Sequence, residues 1–276
     1  MRYIDLHTHT TASDGTLKPQ ELVNLAQQSG LAAIAITDHD TVDGVEAALK
    51  EGLALGLEVI PGVEISVDFI NETHILGYFI NPYDSNLRQV LEKLREFRQK
   101  RNPLMVKRLN QLGFAITLEE VAQEAKGNVI GRPHIAKVLM SKGYVKSMQE
   151  AFALYLAQGK PGYVAKEKLT AKEAIGLIRT SGGIPVLAHP KCLQLDFPDL
   201  EKALQHLVQL GLKGIEAYYS THSQAETQYY LQLAERYNLL ITGGSDFHGS
   251  NKPEIKLGKG IGKLAVPYHL LAKLKN

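Results

Sequence analysis

His7 and His9 stand one residue apart in the run Tyr3-Ile4-Asp5-Leu6-His7-Thr8-His9 near the N-terminus. Alternate side chains of a β-strand share a face, so the two imidazoles point the same way, a short step apart. Paired imidazoles at a strand end suit a divalent ion such as zinc, iron or manganese. Asp5 and Thr8 fall on the other face or near the strand end, where a carboxylate can orient an imidazole through its second nitrogen. A lone His-x-His pair is a weak metal signature. Its weight comes from the rest of the chain, which returns to the same residue types at other predicted strand ends: Asp14, His39, Glu64, His74, His189, Asp246 and His248.

The elements that must position these nine residues can be read in order. A loop rich in Ser, Thr, Asp and Gly (Thr11 to Thr16) leads into a helix from Lys18 to Ser29, with Pro19 in its first turn and Gly30 closing it. Leu31 to Thr37 is a continuous apolar run, as in a strand buried on both faces, and it ends in Thr37-Asp38-His39-Asp40. A helix (Val42 to Leu55), a strand (Glu58 to Ile65, ending at Glu64) and a further strand (Thr73 to Phe79, with His74 at its start) follow. Asp40, Asp43 and Glu46 read as helix-start charges favoured by the macrodipole.

The alternation stops at Asn81-Pro82. From Ser85 to about Tyr163 the pattern is helical, with an apolar stripe of Leu87, Val90, Leu91, Leu94 and Phe97. Pro103 is expected to kink or end that first helix. Three shorter helices are expected over Leu118 to Ala125, Arg132 to Ser141 and Ser147 to Gln158. Strand and helix then alternate again. The strand Ile184 to Ala188 runs into His189, Gly214 to Tyr218 forms the next, and Leu239 to Thr242 leads to Asp246 and His248. Helices over Ala171 to Thr180, Leu200 to Leu210 and Gln224 to Tyr237 separate them.

Repeated strand–helix units imply a parallel sheet, and their number suits an incomplete or distorted barrel. Residues 1–81 and 164–276 would form it, with 82–163 as a helical insertion. In a parallel barrel every strand's C-terminal end opens on one face, so ligands far apart in sequence converge there. Nine ligands are too many for one ion. Two or three divalent ions sharing a bridging carboxylate would use them, and Glu64 is the expected bridge. His206, inside an amphipathic helix, and His269, in the C-terminal tail, are expected to be structural.

Composition excludes several classes. The net charge of +2 is too small for a polyanion-coating surface, and 44% hydrophobic residues over 276 positions suit a globular core. The single cysteine, Cys192, rules out an internal disulfide framework and fits a reducing cytosol. Without a leader-like apolar region or a membrane-length apolar run, a cytoplasmic location with no membrane contact is expected.

Asp5-Leu6-His7-Thr8-His9, Ile36-Thr37-Asp38-His39-Asp40-Thr41, Gly62-Val63-Glu64-Ile65, Ala188-His189-Pro190 and Gly244-Ser245-Asp246-Phe247-His248 together resemble the motif series of the PHP (polymerase and histidinol phosphatase) phosphoesterases. The resemblance implies an α/β fold, a distorted seven-stranded (β/α)7 barrel, and a trinuclear metal site acting in catalysis through its ions. By that pattern His7, His9, Glu64 and Asp246 hold one ion. Glu64, His74 and His189 hold a second, and Asp14, His39 and His248 a third. Asp14 stands where some members have histidine.

With Gly131-Arg132-Pro133-His134 in the insertion, the chain also resembles the small stand-alone members that dephosphorylate 3′,5′-nucleotide bisphosphates, some of whose relatives trim RNA from the 5′ end. The implied reaction is metal-dependent hydrolysis of a phosphate monoester, with manganese first among the ions and iron or zinc as alternatives. Clustered ions acidify a water and act as Lewis acids on the phosphate, so no serine or cysteine nucleophile is needed. The insertion would cap the site. Pro133 suits a helix first turn, whose free N–H groups attract anions, and Arg132 adds a planar fork for phosphate. Arg132 and His134 are therefore expected to grip the phosphate or sugar that is not cleaved, with His222 as a third contact. A 5′–3′ exoribonuclease on short 5′-phosphorylated RNA, a histidinol-phosphate phosphatase and a catalytically silent metal-binding module are the competing expectations. No stable protein partner is implied.

Overall fold

The alternation of small and large residues in Ala33-Ile34-Ala35-Ile36 already separates two layers of core. In the computed structural model, which describes residues 2–125, 130–165 and 167–275, all four are fully buried, but the alanines face one apolar cluster and the isoleucines another. Ala33 and Ala35 join Ile4, Leu6, Leu76, Tyr78 and Val186 inside the sheet. Ile34 and Ile36 join Leu22, Val23, Ile65, Ile175 and Leu204 between sheet and helices.

The order of elements is β1 (Tyr3–Asp5), α1 (Pro19–Gln28), β2 (Ala33–Ile36), α2 (Val45–Leu55), β3 (Glu58–Asp68), β4 (His74–Tyr78), α3 (Ser85–Gln111), α4 (Leu118–Ala125), α5 (Arg132–Ser141) and α6 (Met148–Ala151). Then come β5 (Leu169–Thr170), α7 (Ala171–Thr180), β6 (Ile184–Leu187), α8 (Phe197–Gln209), β7 (Gly214–Tyr219), α9 (Gln224–Arg236), β8 (Leu240–Gly244), β9 (Val266–Pro267) and α10 (His269–Leu274). Among the described residues these strands make one nine-stranded sheet ordered β8-β7-β6-β4-β3-β2-β1-β9, with β5 paired to β3. The path returns on itself: Leu6 N–H donates to Gly243 O at 3.1 Å and Asp246 N–H to His7 O at 2.9 Å, so β8 meets β1 and the barrel is nearly closed.

The sheet is not wholly parallel, contrary to the strand–helix pattern. β4 runs antiparallel to both β3 and β6, and β9 antiparallel to β1. The reason for β4 is the short link from Asp68 to His74, which permits a hairpin but not a helical crossover. This reversal places the start of β4, and with it His74, at the same end of the barrel as the C-terminal ends of the parallel strands.

Between β4 and β5 lie α3 to α6, which enclose a separate apolar cluster of Met105, Leu109, Ile116, Val121, Ile135 and Leu139. Helix α3 continues through Pro103 rather than ending there. The lost backbone bond is outweighed by burial on both sides, with Leu94, Arg98, Arg101, Asn102, Met105 and Val106 all covered. The helix expected over Ser147 to Gln158 is shorter: α6 passes into a π-helical turn at Phe152–Leu156. Among the described residues no helix is long and apolar enough to cross a membrane.

Candidate metal centre

Glu64 is the centre of the arrangement. It lies in the middle of the long strand β3, fully buried, and both carboxylate oxygens face histidines. Oε2 is 3.2 Å from His7 Nε2, 3.3 Å from His9 Nε2 and 3.0 Å from His39 Nδ1. Oε1 is 2.8 Å from His74 Nδ1 and 2.9 Å from His189 Nε2. Five imidazoles from four chain segments thus meet one carboxylate.

Two further carboxylates complete the group. Asp246 Oδ1 lies 3.1 Å from His9 Nε2 and 3.4 Å from His248 Nδ1, while its Oδ2 accepts from Tyr219 Oη (2.8 Å) and Lys252 Nζ (2.6 Å). Asp14 Oδ1 lies 3.3 Å from His248 Nε2, and its Oδ2 lies 3.9 Å from His39 Nε2. All nine residues expected from the sequence are therefore brought together. They form four overlapping sets able to hold an ion: His9, Asp14, His39 and His248; His7, His9 and Asp246; His7, Glu64 and His189; His39, Glu64 and His74.

The residues fit a cation on their own chemistry. His7 Nε2, both ring nitrogens of His9, His39 Nδ1, Glu64 Oε2 and His189 Nδ1 are buried yet make no hydrogen bond. Orphaned buried polar atoms are costly, and so many in one place call for a ligand that satisfies them together. Imidazole nitrogens with carboxylate oxygens are a donor set for manganese, iron or zinc. Local strain marks the same place: His189 and Asp246 have φ of 27° and 58°, unusual for residues bearing a Cβ.

Burial works against charge on every member, and the neighbours decide the outcome. The carboxyl groups of Asp14, Glu64 and Asp246 are held well below the usual carboxylate range, because adjacent histidines and, for Asp246, Lys252 outweigh burial. Burial also opposes charge on His9, but Asp246 and Glu64 push its pKa up to about 9. Burial dominates at His39, His74 and His248, whose pKa values fall. The centre thus presents ionised carboxylates among rings of mixed protonation.

The supporting groups differ from the sequence expectation. Asp5 does not orient an imidazole: its oxygens accept from the Ser245 N–H and Oγ and the Gly258 N–H, tying β1 to the loop that carries Asp246. Thr8 donates to Ala35 O. Asp38 accepts from Thr10 and Ser13 and so shapes the loop bearing Asp14. Asp40 is no helix-start charge, since it pairs with Arg98 at 2.5 Å and accepts the Ser66 N–H. The carboxylate that does face an imidazole from outside is Glu216, 3.0 Å from His7 Nδ1. Its one sequence signal was a lone acid inside the apolar strand Gly214–Tyr219.

Arg98, Arg101, Arg132 and Lys168 line the same cavity of about 270 Å³ as Asp14, His39, Glu64, His74, His189, Asp246 and His248. Arg101 was not anticipated. It is 6% exposed, and its Nε has no hydrogen-bond partner. No carboxylate among the described residues pairs with it. Burial, with the Arg98 and Arg132 charges, pushes its pKa down. Arg132 lines the same cavity, held by Glu72 Oε1 at 2.7 Å and the Leu156 carbonyl at 3.3 Å. His134 and His222 are not brought to it. His134 Nδ1 accepts the Gly131 N–H at 2.9 Å, capping α5 and engaging one amide expected to be free, and His222 Nδ1 faces the Ala217 carbonyl. His206 stacks on Phe69, and His269 opens α10.

Residues 5–243 match the PHP domain family model, and the chain belongs to that family. Its members include metal-dependent phosphoesterases, and this chain is an enzyme of that kind, a hydrolase of phosphoester bonds. It is 38% identical over 262 residues to the 5'-3' exoribonuclease Rnm of Salmonella typhimurium, covering 93% of this chain and 88% of that one. It is 34% identical over 250 residues to a 3',5'-nucleoside bisphosphate phosphatase of Chromobacterium violaceum, covering 90% and 88%. A solved structure of a candidate metal-dependent phosphoesterase from Bifidobacterium adolescentis superposes with a TM-score of 0.87 at 31% identity, covering 99% of this chain and 95% of that one.

Proposed function

We propose that this chain hydrolyses a phosphate monoester of a nucleotide bearing a second phosphate, as in conversion of a 3′,5′-nucleotide bisphosphate to a nucleoside monophosphate and phosphate. The observation that carries this reading is that two charged groups line one cavity: seven of the nine donors, Asp14, His39, Glu64, His74, His189, Asp246 and His248, together with Arg98, Arg101, Arg132 and Lys168. One phosphate meets the cluster while the other meets the cations. The C. violaceum relative bears the name of that activity. The segment 82–163 serves as an insertion over the site, supplying Arg98, Arg101 and Arg132.

In this reading His7, His9, Glu64 and Asp246 hold one divalent ion, Glu64, His74 and His189 a second, and Asp14, His39 and His248 a third. Bound ions, manganese foremost with iron or zinc also suited, supply Lewis acidity toward phosphoryl oxygens and acidify water. The chain's own residues do the rest. Glu64, Asp14 and Asp246 remain ionised at neutral pH and offset cationic charge. Tyr219 and Lys252 hold the second oxygen of Asp246, which fixes how its first oxygen faces His9. Arg101, buried without a carboxylate partner and with Nη2 on Asn102 Oδ1, gains an acceptor for its free Nε from the uncleaved phosphate.

A second reading, 5′–3′ trimming of short RNA, is favoured by one feature besides the exoribonuclease relative. A larger cleft of about 870 Å³, lined by Thr16, His134, Lys137, Asn251 and Lys256, borders the loops that carry Asp14 and His248 through Gly15, Phe247 and Gly249, and its size suits a longer substrate. Purified, metal-loaded protein assayed against a nucleotide bisphosphate, a 5′-phosphorylated oligoribonucleotide, a cyclic phosphodiester and histidinol phosphate separates these readings. Preferential phosphate release from the bisphosphate is expected. Release of mononucleotides from RNA at higher efficiency would favour the second reading, and no turnover of any member would favour a silent module.

A further inference from the structure

Glu216 lies on β7 between Ile215 and Ala217, and its side chain is fully buried. Among the described residues no arginine or lysine pairs with it. A buried carboxylate with neither arginine nor lysine beside it is expensive unless its oxygens are satisfied in other ways. Oε1 faces His7 Nδ1 at 3.0 Å, and Oε2 accepts the His189 backbone N–H at 2.7 Å. The same two histidines face Glu64 on their other sides: His7 Nε2 lies 3.2 Å from Oε2 and His189 Nε2 2.9 Å from Oε1. The two rings lie 5.6 Å apart, 23° from parallel, bracketed between the two glutamates.

We propose that Glu216 is the positioning residue that couples two of the ion sites. By accepting the Nδ1–H of His7 it fixes the ring with the Nε2 lone pair turned toward Glu64. By accepting the His189 N–H it anchors the backbone at φ 27°, where a residue bearing a Cβ needs support. One buried carboxylate thereby sets the tautomer of one ligand and the backbone of another. The inference rests on the metal reading above.

The substitution Glu216→Gln tests it because an amide offers one oxygen to two donors. If its NH2 faces His7, it favours the tautomer with the proton on Nε2, where the ion must bind. If it faces His189, two N–H groups meet and the strained turn loses its anchor. Carboxylates behind metal-bound histidines typically contribute 10–100-fold in affinity.

Two measurements settle the matter. Imidazole nitrogen NMR of the wild type loaded with diamagnetic zinc should show His7 protonated at Nδ1 and coordinated through Nε2. Manganese titration of metal-stripped protein should show Glu216→Gln weaker by 10–100-fold. A zinc-loaded wild type with the His7 proton on Nε2 would overturn the inference, even if the variant failed to fold. So would a folded variant with unchanged manganese affinity. Failure of the wild type to bind either ion would instead sink the metal reading beneath it.

Discussion

His9 and His248 stack with ring centroids 4.1 Å apart and planes 25° from parallel, one just beyond the first strand and the other just beyond β8. Two imidazolium rings at that spacing would repel. The surroundings divide the charge: Asp246 and Glu64, against the effect of burial, push His9 up to about 9, whereas burial and the Lys252 and His9 charges push His248 down. At neutral pH the metal-free pair carries its proton on His9.

Metal binding must therefore expel that proton. The folded pKa of His9 lies above its ordinary 6.5, so in the metal-free protein its stabilising contribution is full below about 6.5 and is lost as pH rises toward about 9. Ions compete with this proton across the same window. Manganese loading at pH 7 is expected to release at least one proton, with apparent affinity tightening between pH 6.5 and 9. Calorimetry in buffers of different ionisation enthalpy counts the protons. Affinity independent of pH over that window would contradict the assignment of His9.

At Gly244, in β8, the backbone passes against His7, just beyond β1. A Cβ there would lie 2.3 Å from His7 Cβ and 2.4 Å from its backbone N, atoms that cannot rotate away. Gly244→Ala is expected to cost about 1–3 kcal/mol of stability, as overpacking does, and to shift His7 from its partners. Thermal melts and manganese titration read the two effects separately. A variant that melts and binds manganese like the wild type would mean that β1 can yield without disturbing the centre.

Much of this centre was legible because strand ends in a barrel share one face, so His7, His9, His39, His189 and the Asp246–His248 pair could be grouped without knowing a single contact. His74 fitted that logic only through the antiparallel turn of β4, which depends on how few residues join it to β3. Glu216 and Arg101 were not legible as site residues. Each looks like an ordinary strand or helix charge until the fold buries it, and burial, like the partners met there, is a tertiary property. Arg132, His134 and His222 show the converse: residue type suggested a shared task, but local hydrogen bonds direct both histidines elsewhere.

Arg101 gives the selectivity prediction. Arg101→Met keeps the apolar stem and removes a buried cation that no carboxylate pairs, against the loss of its bond to Asn102 Oδ1 (3.1 Å), so the substrate-free melting temperature should change little. Loss of a charge-assisted contact costs about 1.5–3 kcal/mol, a roughly ten- to hundredfold drop in kcat/KM for a bisphosphate. Hydrolysis of an aryl phosphate lacking the second phosphate should change little, and Arg132→Ala, whose guanidinium is already held by Glu72, should lose less. Equal losses on both substrates would place the Arg101 guanidinium on the cleaved phosphate and contradict the two-phosphate reading.

The most direct measurement is the initial rate of inorganic phosphate release from a 3′,5′-nucleotide bisphosphate, followed through exhaustive chelation and restoration of manganese, with Glu64→Gln in parallel. Because Glu64 faces five histidines at once, its loss should disturb two ion sites together. The wild type should fall silent on chelation and recover with manganese, while Glu64→Gln stays silent and retains less metal. A chelated, metal-free wild type that keeps its full rate would contradict the account.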